Sequence, residues 1–204
     1  ETPAWLLQPA PPEGNPPRPL APSNLDDDLY GDAPASDALR LAAFRGKLVH
    51  ALFEQYDGRD LAQFRGDALA WLARNDREAK LDHGQMVGQI SAVLENPDWN
   101  SPFSKAVRAE VPLAALVGAT VITGRVDRLL IEAHRVRLVD FKTGRKVPQS
   151  ESEVPLPQLR QMAHYVAALE AIFPSKQIEA NLLYTAGPTM LTLSAAILAP
   201  HKPA

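Results

Sequence analysis

The sequence contains no cysteine in 204 residues. That excludes disulfides, zinc–thiolate sites and iron–sulfur clusters held by cysteine, and it fits a reducing, cytosolic home. No apolar run approaches the roughly 18 residues needed to cross a bilayer, and no signal peptide is visible. Positive charge is also short: 21 Lys and Arg stand against 24 Asp and Glu, for a net charge of -3. A free-standing nucleic-acid binder is usually basic, so any such contact calls for a local basic channel or for a neighbouring domain that supplies the grip. There is no Gly-x-x-x-x-Gly-Lys-[Ser/Thr] loop, so the chain carries no nucleotide-driven motor of that kind. The first residue is Glu1 rather than Met, as expected of a piece of a longer polypeptide.

What is present is ordinary for a folded domain, with 46% hydrophobic and 22% charged residues. The length accommodates one domain of about 36–200 plus a tail. The tail is residues 1–35, rich in proline (Pro11-Pro12, Pro16-Pro17, Pro22), which denies it regular hydrogen-bonded structure. It reads as a linker or extended arm that Trp5, Leu6, Leu7 and Leu20 could pin to a surface. Ser36 or Asp37 is the expected cap of a helix running to about Tyr56. Further helices are expected near 60–74 and 79–95, with Asp60 and Asp76 near their starts, and a turn over 96–102. Residues 106–142 become β-like, a helix follows Pro155 and Pro157 to about Ile172, and strands near 178–185 and 190–195 close the chain. The order predicts a mixed α/β domain with a helical front half.

The most informative segment is Gly124-Arg-Val-Asp-Arg-Leu-Leu followed by Arg137-Leu-Val-Asp-Phe-Lys-Thr-Gly144. In an extended strand Asp140 and Lys142 share a face, about 6.6 Å apart along the backbone. Val136 and Leu138 precede them on that face, while Val139 and Phe141 make the other face apolar, as in a buried central strand. The strand before it is expected to carry Val121, Thr123, Asp127, Leu129 and Ile131 on one face. A two-residue turn at Ala133-His134 would set Asp127 directly opposite Asp140, with Cβ atoms roughly 5 Å apart; an odd loop would separate them. Two carboxylates that close repel, and a hard divalent cation resolves the conflict. A lysine two residues on can orient the attacking water or stabilise charge on a phosphate. The same residues also suit a cross-strand ion pair between either aspartate and Lys142 or Arg125.

On the first helix, Leu41, Phe44, Leu48 and Leu52 make an apolar stripe. His50 lies on the other side above Ala43 and Gly46, where small residues leave room for an imidazole to reach a metal or a buried partner. On the later helix, Gln158, Gln161, Met162, Tyr165, Leu169 and Ile172 form a stripe that is polar at its start. Gln161 and Tyr165 are i, i+4 neighbours able to reach one phosphate near a helix N-terminus. Arg145 and Lys146 follow the Asp-x-Lys strand and suit either DNA backbone or a solvated turn. Glu110, beside Val111, reads by itself as a surface glutamate. His83, His134, His164 and His201 read as structural or exposed.

Taken together, Gly-x-Val-Asp, Asp-Phe-Lys-Thr-Gly, the upstream Gly46-Lys-Leu-Val-His-Ala-Leu-Phe-Glu54 and Gln161-Met-Ala-His-Tyr165 resemble the RecB-like branch of the PD-(D/E)XK nucleases over roughly residues 40–190. The Pro-rich start and absence of cysteine most resemble the C-terminal nuclease domains of AddA-type helicase–nucleases. The resemblance implies a restriction-endonuclease-like core and metal-dependent hydrolysis of DNA, single-stranded and fed by a covalently linked helicase motor beside an AddB-like subunit. Its setting would be double-strand break repair and recombination in the bacterial cytoplasm. It further implies Mg2+, or Mn2+, held by His50, Asp127, Asp140 and the carbonyl of Phe141, with Glu110 as a helper at the metal, Lys142, Gln161 and Tyr165 serving catalysis and no iron–sulfur cluster. A non-catalytic DNA-binding scaffold of the same fold and a stand-alone exonuclease are the competing expectations.

Overall fold

A computed structural model describes residues 19–22, 36–99, 103–104 and 106–203. Three helices come first, each started by a side chain that accepts from a backbone N–H left unpaired in the opening turn. Ser36 accepts from Leu39 to open α1 (Asp37–Gln55). Asp60 accepts from Gln63 at the head of α2 (Leu61–Asn75). Asp82 accepts from Gln85 at the head of α3 (His83–Leu94). The third helix therefore starts at His83 rather than near residue 79. The reason is Asp76: its buried carboxylate accepts from the N–H groups of Lys80 and Leu81 and lies 3.0 Å from His83 Nε2, holding the intervening chain in a turn.

The sheet follows: β1 (Arg108–Val117), β2 (Thr120–Ile131), β3 (Arg135–Lys142), β4 (Gln177–Tyr184) and β5 (Thr189–Leu193), ordered β1-β2-β3-β4-β5. All neighbours are antiparallel except β3 and β4. That parallel pair needs a crossover, supplied by α4 (Leu156–Ile172), which starts at a Pro155-Leu-Pro157 entry. The short α5 (Ala195–Leu198) was not foreseen.

Each face of the sheet has its own core. Leu113, Ile122, Val126, Leu129, Val136, Leu138 and Leu182 pack with Met162, Tyr165 and Leu169 of α4. On the other face Val139, Phe141 and Leu183 pack with Leu48, Leu52, Phe53, Leu72 and Ile90 of the three helices. β3 is thus buried on both faces, as its residue pattern predicts. β2 departs from expectation, because Ile122 and Val126 share a core with Leu129 and the strict alternation slips between Val126 and Leu129. The slip lies beside Glu110, whose φ is 49°, between the pairs Ala109↔Arg128 and Val111↔Val126. Ile172 also leaves the expected stripe of α4, being 42% exposed.

Leu20 hydrogen-bonds with β2 through Val121 O (2.7 Å) and Thr123 N (2.9 Å), pinning the arm to the sheet of its own domain. The rest of the arm expected over residues 1–35, Trp5, Leu6 and Leu7 included, lies outside the described residues.

Candidate metal centre

The β2–β3 turn is the two-residue kind. Ile131 pairs with Val136, and the Glu132 N–H donates to the Arg135 carbonyl at 2.8 Å, leaving Ala133-His134 at the tip. This register runs back to Arg128↔Val139, and one further step sets Asp127 against Asp140. There the strands part, and Asp127 Oδ2 accepts from the Phe141 N–H at 2.6 Å. Its other oxygen lies 3.2 Å from His50 Nδ1, carried in from α1. The His50 ring meets the Phe141 ring edge-on at 5.7 Å.

Continuing the β1–β2 register across the slip places Glu110 opposite Asp127. Ligand atoms of His50, Glu110 and Asp127 all lie within 4.8 Å of one another. A non-glycine residue held at positive φ costs of order 1–3 kcal/mol, and such strain gathers at functional sites. These three residues line a cavity of about 510 Å3 with Gly46, Lys47, Glu54 and Thr143.

Asp140, 4% exposed, turns toward Lys142. Its Oδ2 accepts from Lys142 Nζ at 2.8 Å, and the same ammonium donates to Gln161 Oε1 of α4 at 2.5 Å. The expected trio of His50, Asp127 and Asp140 is therefore regrouped: Glu110 joins the imidazole and Asp127, and Asp140 is engaged by the ion pair. The carboxylate cluster pairs Glu110 with Asp127, and the aspartate–lysine pair runs along β3 rather than across strands.

Electrostatics follow the crowding. Burial raises the Asp140 pKa; Lys142 opposes this and the charge of Asp127 adds to it. Glu110 is likewise raised, by burial and by the negative charges of Asp127 and Glu54. For His50, burial disfavours the charged ring, but the hydrogen bond to Asp127 and the charges of Asp127, Asp140 and Glu110 outweigh it, and the pKa is raised. Acidic groups that hold protons in excess of their norm are what a cation would relieve.

Tyr165 is fully buried, and its hydroxyl donates to the Arg125 carbonyl at 3.0 Å. Burial pushes its pKa up to about 12. Its ring fills the space where a Cβ on Gly124 would sit, the nearest ring carbon being 2.7 Å away, so tyrosine and glycine together seat the stretch of β2 that leads into Asp127. Arg145 and Lys146 are exposed beyond β3. His83 pairs with Asp76, and His134, His164 and His201 stand outside the cluster.

One contributor had no signal of its own in the sequence. Arg128, beside Asp127, is 4% exposed, and its guanidinium donates to the carbonyls of Phe53 and Tyr56 at the end of α1. That helix has no basic residue in its last turn, and Arg128 supplies the cation from the sheet.

A family model described as the PD-(D/E)XK nuclease superfamily matches residues 28–196, a span that contains every residue of the cluster. The chain belongs to the PD-(D/E)XK nuclease superfamily. Metal-dependent cleavage of nucleic acid is the activity of that superfamily, and a five-stranded mixed sheet flanked by helices is consistent with its fold. No curated protein matches the chain. Among solved structures 34 chains match. One, titled "Crystal structure of SSO0001", is 14% identical, with 78% of this chain and 82% of that chain covered and a TM-score of 0.32. For this PD-(D/E)XK chain no helix among the described residues is long and apolar enough to cross a membrane.

Proposed function

We propose that the chain is the nuclease domain of an AddA-type helicase–nuclease and hydrolyses phosphodiester bonds of single-stranded DNA with a divalent metal. The observation that carries the reading is the convergence of His50, Glu110 and Asp127, from a helix and two strands, beside the Asp140–Lys142 pair. Two carboxylates and an imidazole suit magnesium, and manganese too. His50, Asp127 and Asp140, with Glu110 and the carbonyl of Phe141, are the residues that would hold it. A divalent ion there supplies Lewis acidity, lowering the pKa of water and offsetting charge on the phosphate.

The protein's own part is positioning. Gln161 holds the Lys142 ammonium beside Asp140, from where it can orient the attacking water and meet developing negative charge on the phosphate. Tyr165 fixes the main chain at Arg125. Arg145 and Lys146, exposed beyond β3, would hold the DNA backbone. The motor that feeds the strand and an AddB-like subunit would lie on other segments or chains, working in break repair and recombination in the bacterial cytoplasm.

Purified protein is given Mn2+ and end-labelled single-stranded DNA beside an Asp140→Ala control. Degradation by the wild type and none by the variant is expected. Equal degradation by both preparations, or none by either, counts against an enzyme and for a scaffold.

A further inference from the structure

At Gly46, helix α1 lies against Thr143, the first residue after β3. A Cβ built there would lie 2.9 Å from Thr143 Oγ1, closer than real contacts come, whereas Thr143 Cβ would be at 4.0 Å, an ordinary van der Waals distance. Glycine inside a helix is unfavourable relative to alanine. At this position its lack of a side chain is what admits the threonine hydroxyl. Arg45, the preceding residue, donates to the Thr143 carbonyl at 3.3 Å and to Gln89 of α3 at 2.5 Å. Two consecutive residues of α1 thus grip the first residue after β3.

Gly46 and His50 are i, i+4 neighbours, so they lie on one face of α1 a turn apart. Likewise Thr143 stands two residues beyond Phe141, whose N–H holds Asp127. The approach of α1 to Thr143 at Gly46 thus lies one helical turn from the approach of His50 to Asp127, 3.2 Å apart. We infer that glycine at position 46 is a positioning element: with no side chain there, α1 clears the Thr143 hydroxyl and the His50 imidazole reaches the carboxylate cluster. It rests on the metal-centre reading proposed above. Threonine is β-branched and stiff at χ1, so the hydroxyl does not simply swing aside.

The test is a double-mutant cycle over Gly46→Ala and Thr143→Ala, read by Mn2+ affinity in titration calorimetry and by melting temperature without metal. Gly46→Ala alone should weaken Mn2+ binding by about tenfold, within the 10–100-fold range typical of groups that orient metal ligands. Thr143→Ala alone should bind within about twofold of wild type. In the double variant the clashing oxygen is gone, so binding should return to within about twofold and the melting temperature should equal or exceed that of the wild type. Wild-type affinity in Gly46→Ala, or no recovery in the double variant, overturns the inference. A wild-type protein that takes up no Mn2+ would instead sink the metal-centre reading. Coupling of the two positions in melting temperature would then still be measured, and additivity there would overturn the packing relationship itself.

Discussion

Asp127 accepts the main-chain N–H of Phe141 through a side-chain oxygen at 2.6 Å, beyond the last β2–β3 pair, Arg128↔Val139. One carboxylate thus substitutes for a rung of the ladder and presents its second oxygen to His50. The residue is structural and chemical at once, and the two roles can be separated.

Asp127→Asn keeps an oxygen able to accept from Phe141 and removes the charge. It should retain the wild-type melting temperature within about 1 kcal/mol of stability while losing Mn2+ binding and cleavage. Asp127→Ala leaves a buried N–H unpaired, at a further cost of roughly 1–3 kcal/mol. Denaturant midpoints of the two variants check this; equal stability in both would remove the ladder role.

The pKa of each of His50, Glu110 and Asp140 is raised in the folded chain. These three groups therefore bind more protons in the native state than in the unfolded one, from just above the ordinary carboxylate values, 3.8 and 4.5, to beyond the histidine value of 6.5. Stability without metal should fall as pH rises through that window. Buried Asp76 works in the opposite sense but lower: its pKa is lowered, burial opposing but outweighed by His83 and two backbone N–H groups, so its contribution is lost only below 3.8. Melting curves at pH 5.5 and 8 should show the higher temperature at pH 5.5, each kcal/mol amounting to roughly 2–4 °C. Saturating Mn2+ competes with those protons and should raise the melting temperature more at pH 8. A metal-free protein whose stability climbs steadily from pH 5 to 8 would contradict the cluster's electrostatics.

Tyr165 and the basic pair after β3 should behave differently toward DNA. Tyr165→Phe loses one hydrogen bond to the Arg125 carbonyl, about 0.5–1.5 kcal/mol of stability, and should lower kcat with KM for DNA little changed. Arg145→Ala and Lys146→Ala should instead raise KM and reduce the salt dependence of binding by about one unit each. A larger KM effect in Tyr165→Phe than in the basic variants would reverse these roles.

Much of this was readable before any coordinates. Ser36 and Asp60 announced two helix starts, Pro155 and Pro157 announced the crossover helix, and the Ala133-His134 turn set the parity that brings Asp127 toward Asp140. The readings that failed depended on contacts distant in sequence or on backbone geometry no residue type reveals. Nothing in Glu110 signals a positive φ, and without that kink β2 reads as a simple alternation. Asp76 looks like a helix cap from sequence because caps and turn anchors use the same carboxylate; only the His83 contact and the neighbouring N–H groups tell them apart. What Asp140 contacts was open from sequence, since a lysine two residues along is equally suited to pair with that aspartate or to stand free.

The two cores on opposite faces of the sheet carry a consequence for dissecting the protein. A fragment beginning at Arg108 would retain Glu110, Asp127 and Asp140 together with Lys142, while Val139, Phe141 and Leu183 lost their cover and the imidazole was missing. The nitrogen donor and the oxygen donors are thus delivered by separate stretches of polypeptide that meet only when both layers have docked, and a competent centre reports the assembly of the entire sandwich.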